Sequence, residues 1–206
     1  MLIELDYPVP QSVELEAPKT LLLIIDMENE NAHPSGALYI GEAVRKIIPR
    51  IAELRGRICA AGGRVVHTQS VRSRDALEFT VFKNTMRKLE GTWGAELIEE
   101  LKPAAAEPLI VKHTHDCFYQ TEMDPLLKQM ELRPGEGHVI VTGISTRNCV
   151  QSAVIGFSVR DYHVYVPMDC TAHNDEKQVL QAFSLFTSFG YKHNVTMTRS
   201  DLIKVH

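Results

Sequence analysis

Long apolar runs are missing from this sequence. No stretch of about 18 consecutive apolar residues occurs, which is the length that a membrane-spanning helix requires. The opening residues, MLIELDYPVPQSVELEAP, lack the basic segment followed by an apolar segment that defines a signal peptide. We therefore expect a cytoplasmic protein that makes no use of a membrane.

Cysteine is also scarce, and its spacing excludes the common cysteine frameworks. The chain of 206 residues contains four cysteines, namely Cys59, Cys117, Cys149 and Cys170. They form neither a Cys-x-x-Cys pair nor a disulfide-like pattern, which is typical of proteins from a reducing compartment. The individual thiols are therefore available for chemistry.

A surplus of positive charge is absent as well. Lys and Arg number 22 against 26 Asp and Glu, the formal net charge is −4, and no basic cluster occurs, which argues against a nucleic-acid surface. With 44% hydrophobic residues and no repeats, residues 1–206 are predicted to form one domain. Residues 1–18 contain three prolines and are interpreted as an N-terminal arm that packs on the body or on a neighbouring subunit.

Apolar strand-like segments alternate with segments of helical periodicity, and this alternation predicts the fold class. The predicted strands are Thr20–Met27, Arg64–Thr68, Pro108–Val111, Val139–Val141, Val164–Val166 and Val195–Thr198. Helical patterns cover residues 44–58, 124–130, 150–159 and 177–189, and a shorter helix is predicted within 91–101. We therefore expect an α/β fold with a mainly parallel, Rossmann-like open sheet covered on both faces, which is a three-layer α/β/α arrangement.

Two charged residues end buried strands at the same predicted edge of the sheet. Asp26 ends the segment TLLLIID, and Lys112 follows PLIV. Ligands of open α/β sheets bind at this edge. An acid that ends so apolar a strand can have a raised pKa suited to proton transfer, and an ammonium there can lower the pKa of a thiol. The alternatives are that Asp26 only caps or ion-pairs locally and that Lys112 extends to solvent.

A third reactive residue lies in the segment HVIVTGISTRNCVQSAVIGFSVRD, residues 138–161. Its pattern predicts a strand, a tight turn and a helix, with Cys149 near the helix N-terminus. Backbone N–H groups and the helix dipole favour thiolate there and can hold an oxyanion. The alternative is a buried structural cysteine. The predicted sheet brings Asp26, Lys112 and Cys149 to one crevice.

These residues lie in segments that resemble the isochorismatase-like cysteine hydrolases, a family that includes nicotinamidases and N-carbamoylsarcosine, biuret and ureidoacrylate amidohydrolases. The matching segments are, in chain order, LLLIIDMENE, GTWGAEL, IVKHTHDCFYQTEMDPLL and VTGISTRNCV. The resemblance covers residues 19–200 and implies the isochorismatase-like hydrolase fold.

The resemblance also implies a mechanism. It assigns an Asp–Lys–Cys triad to Asp26, Lys112 and Cys149, and a non-proline cis peptide to Ile144–Ser145. The backbone N–H groups of Ser145 and Cys149 would form the oxyanion hole. Cys149 would give its proton to Asp26, attack an amide or ureido carbonyl and form a thioester, which water would then hydrolyse. We expect no cofactor.

One departure from the family bears on metal binding. Nicotinamidases carry an Asp-x-His metal motif soon after the second strand, whereas this chain reads HTQSVR from His67 to Arg72. We therefore expect neither a metal nor nicotinamide as the substrate. His113 and His115 are two residues apart, but two histidines are too few to specify a metal, and surface or packing roles are the alternative.

Several residues near these motifs are candidate substrate contacts. Arg72 and Arg74, in a polar loop with Phe79 and Phe82, either hold an anionic substrate group or remain solvated. Packing is the alternative for the aromatic candidates. The predicted substrate-binding residues are Gln69, Trp93, Phe118, Tyr119 and Arg147.

The predicted function is cysteine-dependent hydrolysis of a C–N bond in a small carboxamide, carbamoyl or ureido substrate, with release of ammonia or an amine. Family members that hydrolyse a vinyl ether commonly lack the cysteine, so Cys149 argues against that activity with Asp26 as the acid. A non-catalytic scaffold that retains the fold is the third possibility. The resemblance also implies a homo-oligomer, either a dimer or a tetramer.

Overall fold

The structure, a computed structural model, describes residues 7–72, 74, 76–77 and 87–206. Its strands are β1 Val13–Leu15, β2 Thr20–Ile25, β3 Arg64–Ser70, β4 Leu109–Lys112, β5 His138–Ile144, β6 His163–Pro167, β7 Thr171–Ala172, β8 Val195–Thr198 and β9 Ile203–Val205. Its helices are α1 Asn29–Ala32, α2 Glu42–Ala60, α3 Met123–Gln129, α4 Gln151–Ser158 and α5 Glu176–Phe186. Among the described helices, none combines the length and the apolar character needed to cross a bilayer.

The main sheet is parallel and has the order β4–β3–β2–β5–β6–β8, with β7 paired to the end of β5. All six residues of β2 are buried, as expected for a central strand that is covered on both faces. From β2 the chain moves outward to β3 and β4, and then crosses to β5 on the opposite side of β2. The carboxyl ends of β2 and β5 therefore form the switch point at which such sheets bind ligands.

Helices cover both faces of this sheet. Leu22 and Ile24 of β2 face the core that α2 covers, whereas Leu21 and Leu23 face the core formed with α3, α4 and α5. A separate two-stranded parallel ladder, β1 with β9, adds Leu15 and other apolar side chains to the core on the α2 side. This three-layer arrangement confirms the predicted fold class.

Two predicted elements differ from the structure for identifiable reasons. The first buried strand ends at Ile25 instead of Met27, because Asp26 adopts the left-handed region with φ 51°. The helix predicted within 91–101 is wrong: the segment contains two separate 3₁₀ turns, Trp93–Ala95 and Glu99–Leu101. Between them Leu97 forms an antiparallel bridge with Glu28, which requires extended backbone.

The described part of the predicted N-terminal arm packs on its own chain. The N–H of Gln11 donates to the Met197 carbonyl at 2.9 Å, and the Thr198 hydroxyl donates to the Gln11 carbonyl at 2.6 Å. The Tyr7 hydroxyl lies 3.0 Å from a carboxylate oxygen of Glu176, at the start of α5. Residues 7–12 are therefore held against β8 and α5 of the same chain.

Candidate active site

Asp26 occupies the end of β2 and turns its carboxylate into the interior. Its side chain is 1% exposed, and the Thr68 hydroxyl of β3 donates to Oδ1 at 2.6 Å. The Asp26 N–H donates to the Thr68 carbonyl at 3.2 Å, so the neighbouring strand holds both backbone and side chain. Aspartate tolerates the left-handed conformation better than most residues, which allows a carboxylate at this sharp change of direction.

Lys112 is the last residue of β4, and its side chain extends to this carboxylate. Its Nζ lies 2.6 Å from Asp26 Oδ2 and donates to the Thr114 carbonyl at 2.9 Å. The lysine is 1% exposed, so both members of this ion pair are removed from water. The alternative in which Lys112 extends to solvent is therefore excluded, because a buried ammonium requires these partners.

Cys149 follows β5 in a single π-helical turn, Thr146–Val150, that leads directly into α4. The peptide bond between Ile144 and Ser145, immediately before this turn, is cis. At Gly143 the strand passes so close to β2 that a Cβ atom would overlap the backbone of Ile25. The Cys149 sulfur lies 3.4 Å from the Lys112 Nζ, which donates to it. The three predicted triad residues thus meet at one point.

The charges in this cluster determine which groups hold protons in the resting site. The raised pKa expected for Asp26 is wrong: burial raises it, but attraction from Lys112 and Lys88 outweighs burial and holds the pKa below its usual value. Burial opposes the charge of Lys112 too, yet Asp26 keeps the pKa of the ammonium above its ordinary value. Burial, and then the Asp26 carboxylate, raises the pKa of Cys149 to about 12 despite the nearby Lys112.

The expected thiolate at Cys149 is therefore wrong for the resting site. At neutral pH the cluster holds a carboxylate, an ammonium and a protonated thiol. The favourable effect of a helix N-terminus is smaller than the cost of placing a second anion, out of water, beside Asp26. Because Lys112 Nζ contacts both the Asp26 carboxylate and the Cys149 sulfur, the carboxylate lies beside the thiol and can receive its proton.

A cavity of about 340 Å³ opens over the cluster. Its described lining combines the triad sulfur and carboxylate with cationic, amide, hydroxyl and aliphatic side chains. The lining residues are Asp26, Asn31, Leu38, Ile40, Ser70, Arg72, Arg87, Lys88, His115, Ile144, Ser145, Asn148 and Cys149. The volume suits a small molecule with both polar and apolar parts.

A second buried ion pair borders the cavity and was not anticipated from the sequence. Glu28 is fully buried, and one of its carboxylate oxygens accepts from the Ser70 N–H while the other lies 2.9 Å from Lys88 Nζ. Burial raises the pKa of Glu28, and the Asp26 carboxylate adds to this effect. Because Lys88 also acts electrostatically on Asp26, this pair contributes to the charge balance at the triad.

None of the five predicted substrate-binding residues is among the described residues that line the cavity. Trp93, 47% exposed, packs edge-on against His33 in a separate surface depression. Phe118 packs against Phe157 and under the Arg160 guanidinium. Tyr119 is 57% exposed. Two polar candidates are engaged elsewhere, Gln69 with the Ala95 carbonyl at 2.6 Å and Arg147 with Gln151 at 2.8 Å.

Other loop residues partly replace them. Arg72, one of the two candidate anion contacts, lines the cavity and donates to the Ser70 hydroxyl at 2.8 Å, whereas Arg74 is exposed. Phe79 and Phe82 lie outside the described residues. Asn148, directly before the cysteine, also lines the cavity.

His113 and His115 face different partners. The His113 ring lies 2.9 Å from the Val71 carbonyl, whereas the His115 ring nitrogen Nδ1 lies 3.3 Å from the Cys149 sulfur. Within the described part of the chain, no three His, Cys, Asp or Glu side chains are grouped as a metal site would require. The two histidines thus do not form a shared site, and one of them contacts the reactive sulfur.

The parallel sheet, covered on both faces and with a cavity at its switch point, places the chain in the class of open α/β proteins that bind small ligands at this edge. A sequence model of the isochorismatase domain matches residues 20–199, and the chain belongs to the isochorismatase family. The resemblance inferred from the sequence is thereby confirmed.

Individual relatives are similar over most of the chain. The ureidoacrylate amidohydrolase RutB of Serratia proteamaculans is 27% identical over 212 aligned positions, covering 90% of this chain and 84% of the relative. The N-carbamoylsarcosine amidase of Thermoplasma acidophilum has a TM-score of 0.74 at 25% identity, covering 89% and 97% of the two chains. Bacillus subtilis nicotinamidase PncA, at 21% identity, TM-score 0.76 and 88% and 99% coverage, is similar in fold. The named relatives are thus hydrolases of non-peptide C–N bonds, the predicted enzyme class.

Proposed function

We propose that this protein is a cysteine-dependent amidohydrolase that cleaves a C–N bond in a small carboxamide, carbamoyl or ureido substrate. One observation carries the proposal: Lys112 Nζ lies 2.6 Å from Asp26 Oδ2 and 3.4 Å from the Cys149 sulfur, at the base of a cavity open to small molecules. The named activities of RutB and of N-carbamoylsarcosine amidase support the same class of substrate.

In the first step Cys149 attacks the substrate carbonyl carbon. The S–C bond forms as the C=O electron pair moves to oxygen and the thiol proton moves to Asp26. Since the pKa of Cys149 is raised to about 12 and that of Asp26 is lowered, proton transfer before attack would be strongly uphill. We therefore assign the proton transfer to the same step as bond formation, with Lys112 retaining its charge throughout.

The oxyanion of this step requires hydrogen-bond donors on the cavity wall. Ser145 and Cys149 both line the cavity, and we assign their backbone N–H groups to the oxyanion. These donors belong to the turn that carries the nucleophile, so they and the sulfur are positioned together. A donor fixed beforehand is more effective than water, because it need not reorient as charge develops.

The second half of the reaction releases first the nitrogen leaving group, as ammonia or an amine, and then the acid product. Asp26 returns its proton to the departing nitrogen, so that ammonia or an amine leaves and the acyl group remains on sulfur as a thioester. Water then attacks the thioester and gives a proton to Asp26, and the sulfur departs and recovers a proton from Asp26. Each step of this cycle uses only groups of the chain, water and substrate, so the proposed reaction needs no cofactor.

An ammonia-release screen over carboxamides, carbamoyl compounds and ureides tests this proposal. We expect release with at least one substrate, and loss of that release in Cys149→Ala and Asp26→Asn. Retained cleavage of a vinyl ether by Cys149→Ala would instead favour the isochorismatase reaction with Asp26 as the acid. If circular dichroism shows a folded protein that hydrolyses none of these substrates, the result would favour a non-catalytic scaffold.

The assembly state is a separate proposal. We propose a homo-oligomer, dimer or tetramer, of cytoplasmic location. Light scattering at micromolar concentration measures the mass of the particle directly. A mass equal to the 23.2 kDa of one chain would contradict the oligomer.

A further inference from the structure

The Cys149 sulfur has a second polar neighbour besides Lys112. Nδ1 of His115 lies 3.3 Å from it, a distance comparable to the 3.4 Å from Lys112 Nζ. Lys112 is buried, whereas His115 is exposed and lines the cavity. The sulfur is thus contacted by one group from the interior and by another from the side on which substrate arrives.

The number of protons available decides the direction of the His115 contact. A thiol has one hydrogen, and in the proposed mechanism the Cys149 hydrogen is directed at the Asp26 carboxylate, to which it is transferred. With that hydrogen committed, a polar contact between His115 Nδ1 and sulfur is favourable when the imidazole N–H donates to a sulfur lone pair. Lys112, an ammonium with three hydrogens, donates to the same sulfur.

We propose that His115 is a catalytic residue that donates a hydrogen bond to the Cys149 sulfur and stabilises the negative charge which the sulfur carries as it attacks and as it later departs. The inference rests on the proposed function, since it concerns the same nucleophile. His115 transfers no proton in this role. The thiol proton still moves to Asp26 as the S–C bond forms, and the thiolate that leaves the thioester is again held by Lys112 and His115 until Asp26 reprotonates it.

The need for a second donor follows from the electrostatics of the site. Asp26 lies beside the sulfur and disfavours any anion there, and burial adds to this cost. Lys112 offsets part of the cost, but its charge is shared with Asp26 at 2.6 Å. The hydrogen bond from His115, on the cavity side of the sulfur, strengthens most when the sulfur becomes anionic. Hydrogen bonds to charged acceptors are stronger than those to neutral ones.

Alkylation of Cys149 by iodoacetamide tests the donor role without any substrate. Below the pKa of the thiol, the rate is proportional to the thiolate fraction, so a lost donor slows the reaction. His115→Leu and His115→Asn form a matched pair, because the two new side chains have nearly the same shape and only asparagine can donate. We expect His115→Leu to react about 10- to 100-fold more slowly than the wild type, and His115→Asn to stay within a few-fold of it.

The readout must separate Cys149 from the other thiols. Cys59 is exposed and will also react, so alkylation is quantified for each cysteine-containing peptide by mass spectrometry. The Cys59 rate serves as an internal control and should be equal in all variants. His113→Asn is the control for the segment, because asparagine can keep the contact with the Val71 carbonyl and position 113 does not touch the sulfur.

Hydrolysis gives the second readout, with a substrate found in the screen. We expect kcat/KM to fall in His115→Leu by the same 10- to 100-fold factor and to be largely restored in His115→Asn. Equal rates for the two variants, whether both slow or both near wild type, would overturn the inference, because donation would then not matter. If the wild type hydrolyses no substrate, the proposed function fails while the alkylation rates still decide the donor role.

Discussion

Replacing Lys112 with methionine removes the ammonium of the buried ion pair while keeping a side chain of similar length. The carboxylate of Asp26 then stays buried, and the Thr68 hydroxyl still donates to it. At 2.6 Å and an effective dielectric constant of about 20, the lost attraction is about 6 kcal/mol. Desolvation of both groups offsets part of it, and removing one partner of a buried pair typically costs about 3–5 kcal/mol.

We expect Lys112→Met to lower the free energy of unfolding by that ~3–5 kcal/mol at neutral pH, a large part of the ~5–15 kcal/mol of a typical domain. Urea denaturation followed by circular dichroism measures the difference. The double variant Asp26→Asn/Lys112→Met should recover at least about 2 kcal/mol, because it leaves no unpaired buried charge. Ammonia release should be lost in both variants.

The difference in the free energy of unfolding between the wild type and Lys112→Met should also depend on pH in a defined direction. In the wild type the folded-state pKa of Asp26 is lowered, so its stabilisation is present above the unfolded pKa of about 3.9 and is lost as pH falls through the folded value. In Lys112→Met the folded pKa should be raised, so a penalty appears above pH ~4 and vanishes below it. The difference in the free energy of unfolding between the two proteins should therefore be smaller at pH 5 than at pH 7.5. A difference that stays constant or widens, or a double variant no more stable than Lys112→Met, would refute the reasoning.

Three further outcomes follow from the same geometry. Thr68→Val removes the 2.6 Å hydrogen bond to Asp26 and should lower kcat/KM about 10- to 100-fold, with Thr68→Ser close to wild type. Gly143→Ala should lower the melting temperature by at least about 5 °C, because φ is 104° there and a Cβ atom would overlap the β2 backbone; an unchanged temperature by differential scanning calorimetry would contradict this. Trp93→Ala should change kcat/KM less than about threefold, because its ring lies outside the cavity. A larger loss would indicate that Trp93 does contribute to substrate binding.

Residues that follow buried strands were the most predictable part of the site. An unbroken apolar run such as TLLLII has few placements other than a central strand, so the position of Asp26 follows from it. The same argument places Cys149 after β5. It is wrong for β4, which was expected to be buried but is an edge strand with Leu109 and Val111 exposed and Lys112 as its last residue. Parallel strands direct their carboxyl ends to one edge, and the convergence of these three residues therefore depends on the fold class alone.

Side chains supplied by loops were not predictable in the same way. Lys88 reaches Glu28 across 60 positions of sequence, and no periodic pattern links the two. Trp93 was a plausible wall residue by composition, but its segment is set by the bridge between Leu97 and Glu28. The protonation state of Cys149 depended on the actual separation from Asp26, which no motif contains.

The ladder between β1 and β9 constrains when the fold can be completed during synthesis. Val13 pairs with Ile203 and Leu15 with Val205, so this ladder joins segments made before and after all the other described elements. Until β9 emerges from the ribosome, Leu15 and the neighbouring apolar surface of α2 lack one of their covers. A nascent chain stalled before residue 203 should therefore expose this apolar surface and bind chaperones. A chain in which β9 has paired with β1 should not.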